Sequence, residues 1–291
     1  MTRQWVLPPW LALGLALIGI STAAPLARLA GVDGATAAWW RLLVGSGITL
    51  VAALLAGQLP RSRVLVTRSL PGGVFLAAHL ALWLESLRYM SVASSTGIVV
   101  SYPVIAAAYE ALVEASLPPR RLLGVVLGFA GVAVLSTPWA GATLPGALLA
   151  LAGAFTAAAY FLTGRRLRVS GATTLEYTAT VYTAAFLVMT LYCLAAGIEA
   201  WSPPGRSLSY LVALGLAPMI MGHTMLNYAL AYYPAGVVTG VALLEPYGAS
   251  LLAWLVLGEE PPPASIPGLV LSVTGAWLAI SPGGASRRRR P

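Results

Sequence analysis

Apolar runs of about 20 residues, separated by short polar or proline-rich joints, recur along the whole of this 291-residue chain. A helix of that length crosses roughly 30 Å of hydrocarbon. Ten runs are read, at about 10–29, 36–56, 70–89, 93–115, 121–137, 144–163, 174–196, 208–231, 235–257 and 265–281. They predict an all-α integral membrane protein of ten transmembrane helices, with nothing left over for a soluble domain. The first run is read as a retained span. It is longer than the 7–15 residues of a signal core, and Ala23-Ala24-Pro25 is a poor cleavage site.

The second half of the pattern repeats the first. Leu87, Tyr89, Ala93 and Pro103 map onto Leu230, Tyr232, Gly236 and Pro246 at a constant offset of 143. With a residue or two of slip, Glu114 matches Glu259, Pro118-Pro119 matches Pro262-Pro263, Gly124 matches Gly268 and Gly131 matches Gly275. Upstream, Gly19-x-x-Thr22 resembles Gly153-x-x-Thr156, and Gly34-Ala35-Thr36 resembles Gly171-Ala172-Thr173. Five spans per copy, over 1–138 and 139–291, make the two copies enter the membrane from opposite sides. Inverted repeats give a pathway two equivalent ends, as alternating access requires.

Composition narrows the classes. Hydrophobic residues are 58% of the chain and charged residues 9%, far below the ~25% of a soluble domain. The net charge of +8 is mainly a matter of orientation. All 17 basic residues are arginine. In alternate loops, one side receives Arg3, Arg61, Arg63, Arg68, Arg120, Arg121, Arg165, Arg166, Arg168 and Arg287–Arg290. The other receives Arg28, Arg88 and Arg206, and Arg41 lies inside the second span. The positive-inside rule then places both termini in the cytoplasm of a cell-membrane protein. The Arg287–Arg290 tail reads as an anchor on anionic lipid, not a nucleic-acid site. Cys193 is alone, so no intramolecular disulfide, zinc cluster or CxxC pair can form. No GxxxxGK[ST], HExxH or GxSxG is present, which argues against a pump or an intramembrane enzyme. No cofactor or metal is expected.

Ten spans in two five-span halves, with Pro103…Glu114 in the fourth and Leu244-Glu245-Pro246…Glu259 in the ninth, resemble the EamA-like branch of the drug/metabolite transporter superfamily. The resemblance covers essentially the whole chain. It implies a carrier of small organic solutes such as amino acids, nucleobases, sugars or drugs, often exported. A multidrug or lipid-linked substrate exporter and a non-transporting structural protein are the alternatives.

An ionisable group at the centre of a span costs about 2.5–3.5 kcal/mol on insertion scales, so each needs a reason. Glu245 lies about mid-depth in the ninth span, directly before Pro246, whose missing N–H frees a carbonyl near Ala242. Its repeat partner is Tyr102, beside Pro103. Glu245 reads as a site for a proton, an amine or a cation, or as a protonated packing contact. Glu85 and Arg41 lie near the outer ends of spans three and two and could pair. His79 and His223 occupy near-equivalent repeat positions, suited to proton relay, anion binding or a plain helix contact. His223 and Asn227 share one helical face, while Tyr228 is at the repeat position of Glu85. Trp83, Tyr102 and Tyr247 could stack on a planar or cationic substrate, or simply pack. Trp5, Trp10, Trp39, Trp40, Trp139, Trp201 and Trp277 read as an interfacial belt. Glu110 and Glu114 read as solvated or paired with Arg120 or Arg121, and Glu259 and Glu260 as the cap of span nine. The glycines Gly124, Gly128 and Gly131 in span five, with Gly268 and Gly275 in span ten, permit close helix approach. That approach could be within one chain or between copies, so monomer and homodimer both remain open. Proton coupling through Glu245 or a histidine, and uncoupled diffusion, are both consistent with these residues.

Overall fold

Proline and the capping residues divide the apolar runs into helices. The computed structural model describes residues 7–60, 62–114, 117–135, 143–261, 263 and 265–280. Arg3, Arg61, Trp5, Trp139, the Arg287–Arg290 tail and the boundary at 138/139 lie outside the described residues. The first half contains α1 (Pro9–Ser21), α2 (Ala23–Ala30), α3 (Gly34–Leu55), α4 (Arg63–Ser86), α5 (Val92–Val99), α6 (Tyr102–Leu112) and α7 (Pro119–Leu135). The second contains α8 (Leu144–Val169), α9 (Thr174–Ala196), α10 (Leu208–Leu214), α11 (Met225–Ala229), α12 (Ala235–Gly240), α13 (Glu245–Leu257) and α14 (Ser265–Ile280). A π-helical segment, Gly215–Thr224, joins α10 to α11, and a 3-10 turn, Val241–Leu244, joins α12 to α13. Among the described residues there is no strand.

Joined in this way, eight helical passages are long and apolar enough to cross a membrane; α14 is apolar but shorter, and α7 has 17 residues. Side chains turned outward are apolar and exposed, including Leu55, Leu191 and Ile266. This is a multi-pass membrane protein. Small residues fill many of the helix contacts: Ala12, Ala16, Ala23, Ala24, Ala154 and Ala157 are each fully buried. That composition is expected where lipid tails compete with side chains for apolar contact and close backbone approach supplies the packing.

The packing maps onto itself when the halves are exchanged. Helix α4 packs on α8, and α1 packs on the Gly215–Thr224 segment in the equivalent relation. Helices α3 and α9 pack on one another, as do α6 and α12, and α7 and α14. The α7–α14 contact brings backbone against backbone. A Cβ added to Gly124 would lie 2.6 Å from Ala279 N, and one on Gly275 only 2.3 Å from Gly128 N. The glycines that could have served a second copy are therefore used within one chain. The repeated Gly-x-x-Thr motifs also acquire a common job. Thr22 Oγ1 donates to Gly19 O at 2.7 Å, and Thr156 Oγ1 to Gly153 O at 3.0 Å, each holding a threonine hydroxyl against its own helix.

Candidate functional site

Two broken passages meet the centre of the bundle. Pro103 and Pro246 each sit in the first turn of the second half-helix, α6 and α13, where a missing N–H costs nothing. The carbonyl expected to be freed near Ala242 is occupied: Glu245 N–H donates to it across the 3-10 turn. The N-termini of α6 and α13 thus lie beside the same small cavity, lined by Ile20, Arg41, His79, Trp83, Val99, Tyr102, His223 and Glu245. Its volume is about 10 Å³, room for roughly one water molecule.

Six of the ten side chains singled out from sequence converge there: Arg41, His79, Trp83, Tyr102, His223 and Glu245. All are buried. The rings form a continuous stack. Trp83 lies 5.9 Å from His79 at 7°, His79 lies 6.1 Å from His223, and His223 lies 5.9 Å from Tyr160. Tyr102 closes the group, 6.2 Å from His79 and 5.6 Å from Phe161. His79 Nδ1 is 2.9 Å from Gly153 O, which can only accept, so the ring proton is on Nδ1.

Arg41 does not pair with Glu85. Its guanidinium is fully buried and turned toward the π-helical segment, where Nη2 donates to Pro218 O at 3.3 Å. Nε and Nη1 have no hydrogen-bond partner among the described residues. The Glu85 carboxylate instead bonds Arg88 at 2.9 Å and the Gly34 N–H at 2.8 Å, fastening α4 to the start of α3. It borders an outward groove shared with Asp33, Arg88, Val74 and Tyr192. Glu245 makes no ion pair among the described residues, although it shares the cavity with Arg41.

The remaining sequence candidates lie apart. Asn227 is buried one layer away, its Nδ2 donating to Tyr160 Oη at 2.5 Å and Tyr182 Oη at 3.2 Å. Tyr228 Oη donates to Leu7 O at 2.6 Å, and Tyr247 Oη pairs with Ser272 Oγ at 3.0 Å, so neither reaches the cavity. Trp39 is not in an outer belt; it is buried, with Nε1 donating to Thr190 Oγ1 at 2.9 Å. Trp40 Nε1 donates to Ala200 O. Trp10, Trp201 and Trp277 are exposed as expected. Ile20, Val99, Tyr160 and Phe161 were not anticipated; among them Tyr160 alone carried a signal, as a polar group inside an apolar run.

Each end of the bundle has an arginine on the carbonyl of one helix end and a glutamate on the N–H groups of the next helix start. At one end, Arg28 of α2 donates to Leu87 O at 2.6 Å and pairs with Glu259 Oε1 at 2.7 Å. Glu259 Oε2 accepts the Val92 N–H at the start of α5. At the opposite end, Arg165 of α8 donates to Leu230 O at 2.5 Å. Glu110 accepts the Ala235 and Gly236 N–H groups at the start of α12, at 2.5 and 2.7 Å. Leu87 and Leu230 are 143 positions apart, and so are Val92 and Ala235. Glu110 is therefore not solvated, and Glu114 pairs with Arg166 at 2.9 Å.

A multi-pass helical bundle with two broken helices meeting at a buried polar cavity, closed at both ends, is built as a membrane transporter of small molecules. The chain belongs to the EamA-like transporter family, which it matches over residues 8–137 and again over 144–281. The two matches are the two repeats. A solved structure described only as "Crystal structure of protein" shares the fold, with a TM-score of 0.77 at 22% identity over 94% of this chain and 97% of the other. No significant match is found among curated proteins.

Proposed function

We propose that this chain is a secondary carrier of ten spans in two inverted halves, 1–138 and 139–291. It exports small metabolites, amino acids among them, across the cytoplasmic membrane by alternating access, with both termini in the cytoplasm. The observation that carries the reading is the pair of equivalent ties around one closed cavity. A pathway needs two gates and one site between them, and a repeat supplies the second gate by copying the first. In this reading the Arg28 tie is the outer latch and the Arg165–Glu110 tie the inner latch. In this reading each tie is broken in turn while the other holds.

Within the cavity Glu245, Tyr102, Trp83, His79, His223 and Arg41 contact the solute, and Asn227 holds Tyr160 behind them. Glu85 is a fastening residue of the outer end. Protons are the proposed coupling ion, with Glu245 or the histidine pair as carrier. The test is counterflow in proteoliposomes: saturable exchange of a labelled amino acid is expected, and its pH dependence is abolished by Glu245→Gln. No exchange of any amino acid, cationic drug or nucleobase would overturn the carrier reading.

A further inference from the structure

We propose that Arg41 and Glu245 together select a zwitterion, Arg41 taking the carboxylate of the solute and Glu245 its ammonium group. The inference rests on the carrier reading of the same cavity and adds the chemistry of what is carried.

Arg41 is the starting point. Its guanidinium has five N–H donors, and one is used, by Pro218 O. Whichever Nη2 hydrogen that bond takes, one of the two flat edges of the guanidinium keeps both of its donors. Such an edge matches the spacing of two carboxylate oxygens, and Nε and Nη1 stand unpartnered in a fully buried residue on the cavity wall. A packing arginine would have found carbonyls or a carboxylate for these groups, because a buried unsatisfied donor is costly. Glu85, the partner expected from sequence, is engaged by Arg88 and Gly34 N.

Glu245 supplies the complementary half. It is buried on the wall of the same cavity, yet no ion pair with Arg41 forms among the described residues. A guanidinium and a carboxyl group on one cavity wall, with no ion pair between them, form a two-ended receptor in which a bound ammonium would hold the carboxyl in its charged form. A zwitterion placed between them leaves the net charge of the site unchanged and gives each buried group a partner. A simple anion would satisfy Arg41 but face Glu245, and a simple cation would meet Arg41. This double mismatch rejects both classes, including lipophilic cationic drugs. The rest of the wall is Ile20, Trp83, Val99, Tyr102 and the two stacked histidines His79 and His223, an aromatic and apolar lining that suits an uncharged side chain. The present volume of about 10 Å³ means that the wall must move apart to admit it.

The test uses the purified full chain and three probes of one size: L-phenylalanine, L-phenylalaninamide, which lacks the carboxylate, and N-acetyl-L-phenylalanine, which lacks the ammonium group. L-Leucine and its two analogous derivatives repeat the series for a smaller side chain. Binding is read from the rise in melting temperature with concentration. The zwitterions should bind at least about 10-fold more tightly than either derivative, the loss expected for one charge-assisted contact. Arg41→Gln should erase the preference over the amide, and Glu245→Gln the preference over the N-acetyl form. Arg41→Lys, which keeps the charge, should retain part of it, and the probe series on the unaltered chain needs no variant to fold. Equal binding of all three forms, tighter binding of a derivative, or no binding by either zwitterion overturns the proposal. Counterflow of another solute class would at the same time leave the carrier reading standing, so the two failures are distinguishable.

Discussion

The two ends of this bundle do the same work with different amounts of burial. At the Arg28 end one arginine reaches Leu87 O, Met90 O and Glu259, and the arginine and glutamate side chains are 35% and 25% exposed. At the Arg165 end the work is divided. Arg165 holds Leu230 O, a buried Glu110 holds two backbone N–H groups, and Glu114 with Arg166 forms a separate, more exposed pair beside Tyr109. The repeat has preserved a backbone requirement, tying off one helix end and capping the next helix start. It has not preserved the side chains that meet it. Exposed ion pairs contribute about 0–1 kcal/mol, whereas a carboxylate that satisfies buried N–H groups contributes about 1.5–3 kcal/mol per bond. The Arg28 end, the outer one in the proposed orientation, should therefore open first.

The comparison can be broken most forcefully at Glu110. Glu110→Gln keeps one acceptor but turns an NH₂ toward the second N–H, and should destabilise the closed inner end by about 2–3 kcal/mol. The melting temperature should fall, and protease cleavage in the joint before Ala235 should rise; an unchanged melting curve contradicts the buried-latch account. Arg165→Gln comes next, at about 1–2 kcal/mol, because it removes a charged donor from Leu230 O. Glu259→Gln should cost about 1 kcal/mol or less and yet raise transport from the outer side, since it loosens the weaker end. Raising the salt concentration to about 1 M should mimic Glu259→Gln, because exposed charges are screened over about 3 Å there, and should leave the buried Glu110 contacts unaffected. Arg166→Ala should be nearly silent, within about 0.5 kcal/mol, as expected for an exposed pair.

Much of this was legible in the chain. Run length and the 143-residue offset disclosed the class and the repeat, and the mid-run polar residues disclosed most of the cavity. Depth along a helix follows from counting residues, so His79, His223 and Glu245 could be placed at nearby levels, whereas Arg41 was counted toward the outer end of its span. Rotation about the helix axis does not follow from counting. That is why Arg41 was matched to Glu85 when it faces Pro218, and why Tyr228 and Tyr247 were grouped with a cavity they do not touch. The latches were hidden for another reason. Leu87, Leu230, Val92 and Ala235 act through backbone atoms, which leave no side-chain signature. Arg28 and Arg165 share the 137-residue offset of the Gly34 and Gly171 motifs, yet as loop arginines they read only as markers of orientation. Glu110 read as solvated because the fourth run was taken to 115, whereas α6 ends at Leu112 with Glu110 turned inward onto α12.

The central claim is that the two ties are gates that open one at a time around a single site. The direct measurement places a cysteine on the cavity wall, Val99→Cys in a Cys193→Ala background, and follows its labelling by a membrane-impermeant maleimide from each side. Glu259→Gln should speed labelling from outside only, and Glu110→Gln from inside only. If both substitutions raise labelling from the same side, or neither changes it, the ties are structural contacts and the alternating-access account is wrong.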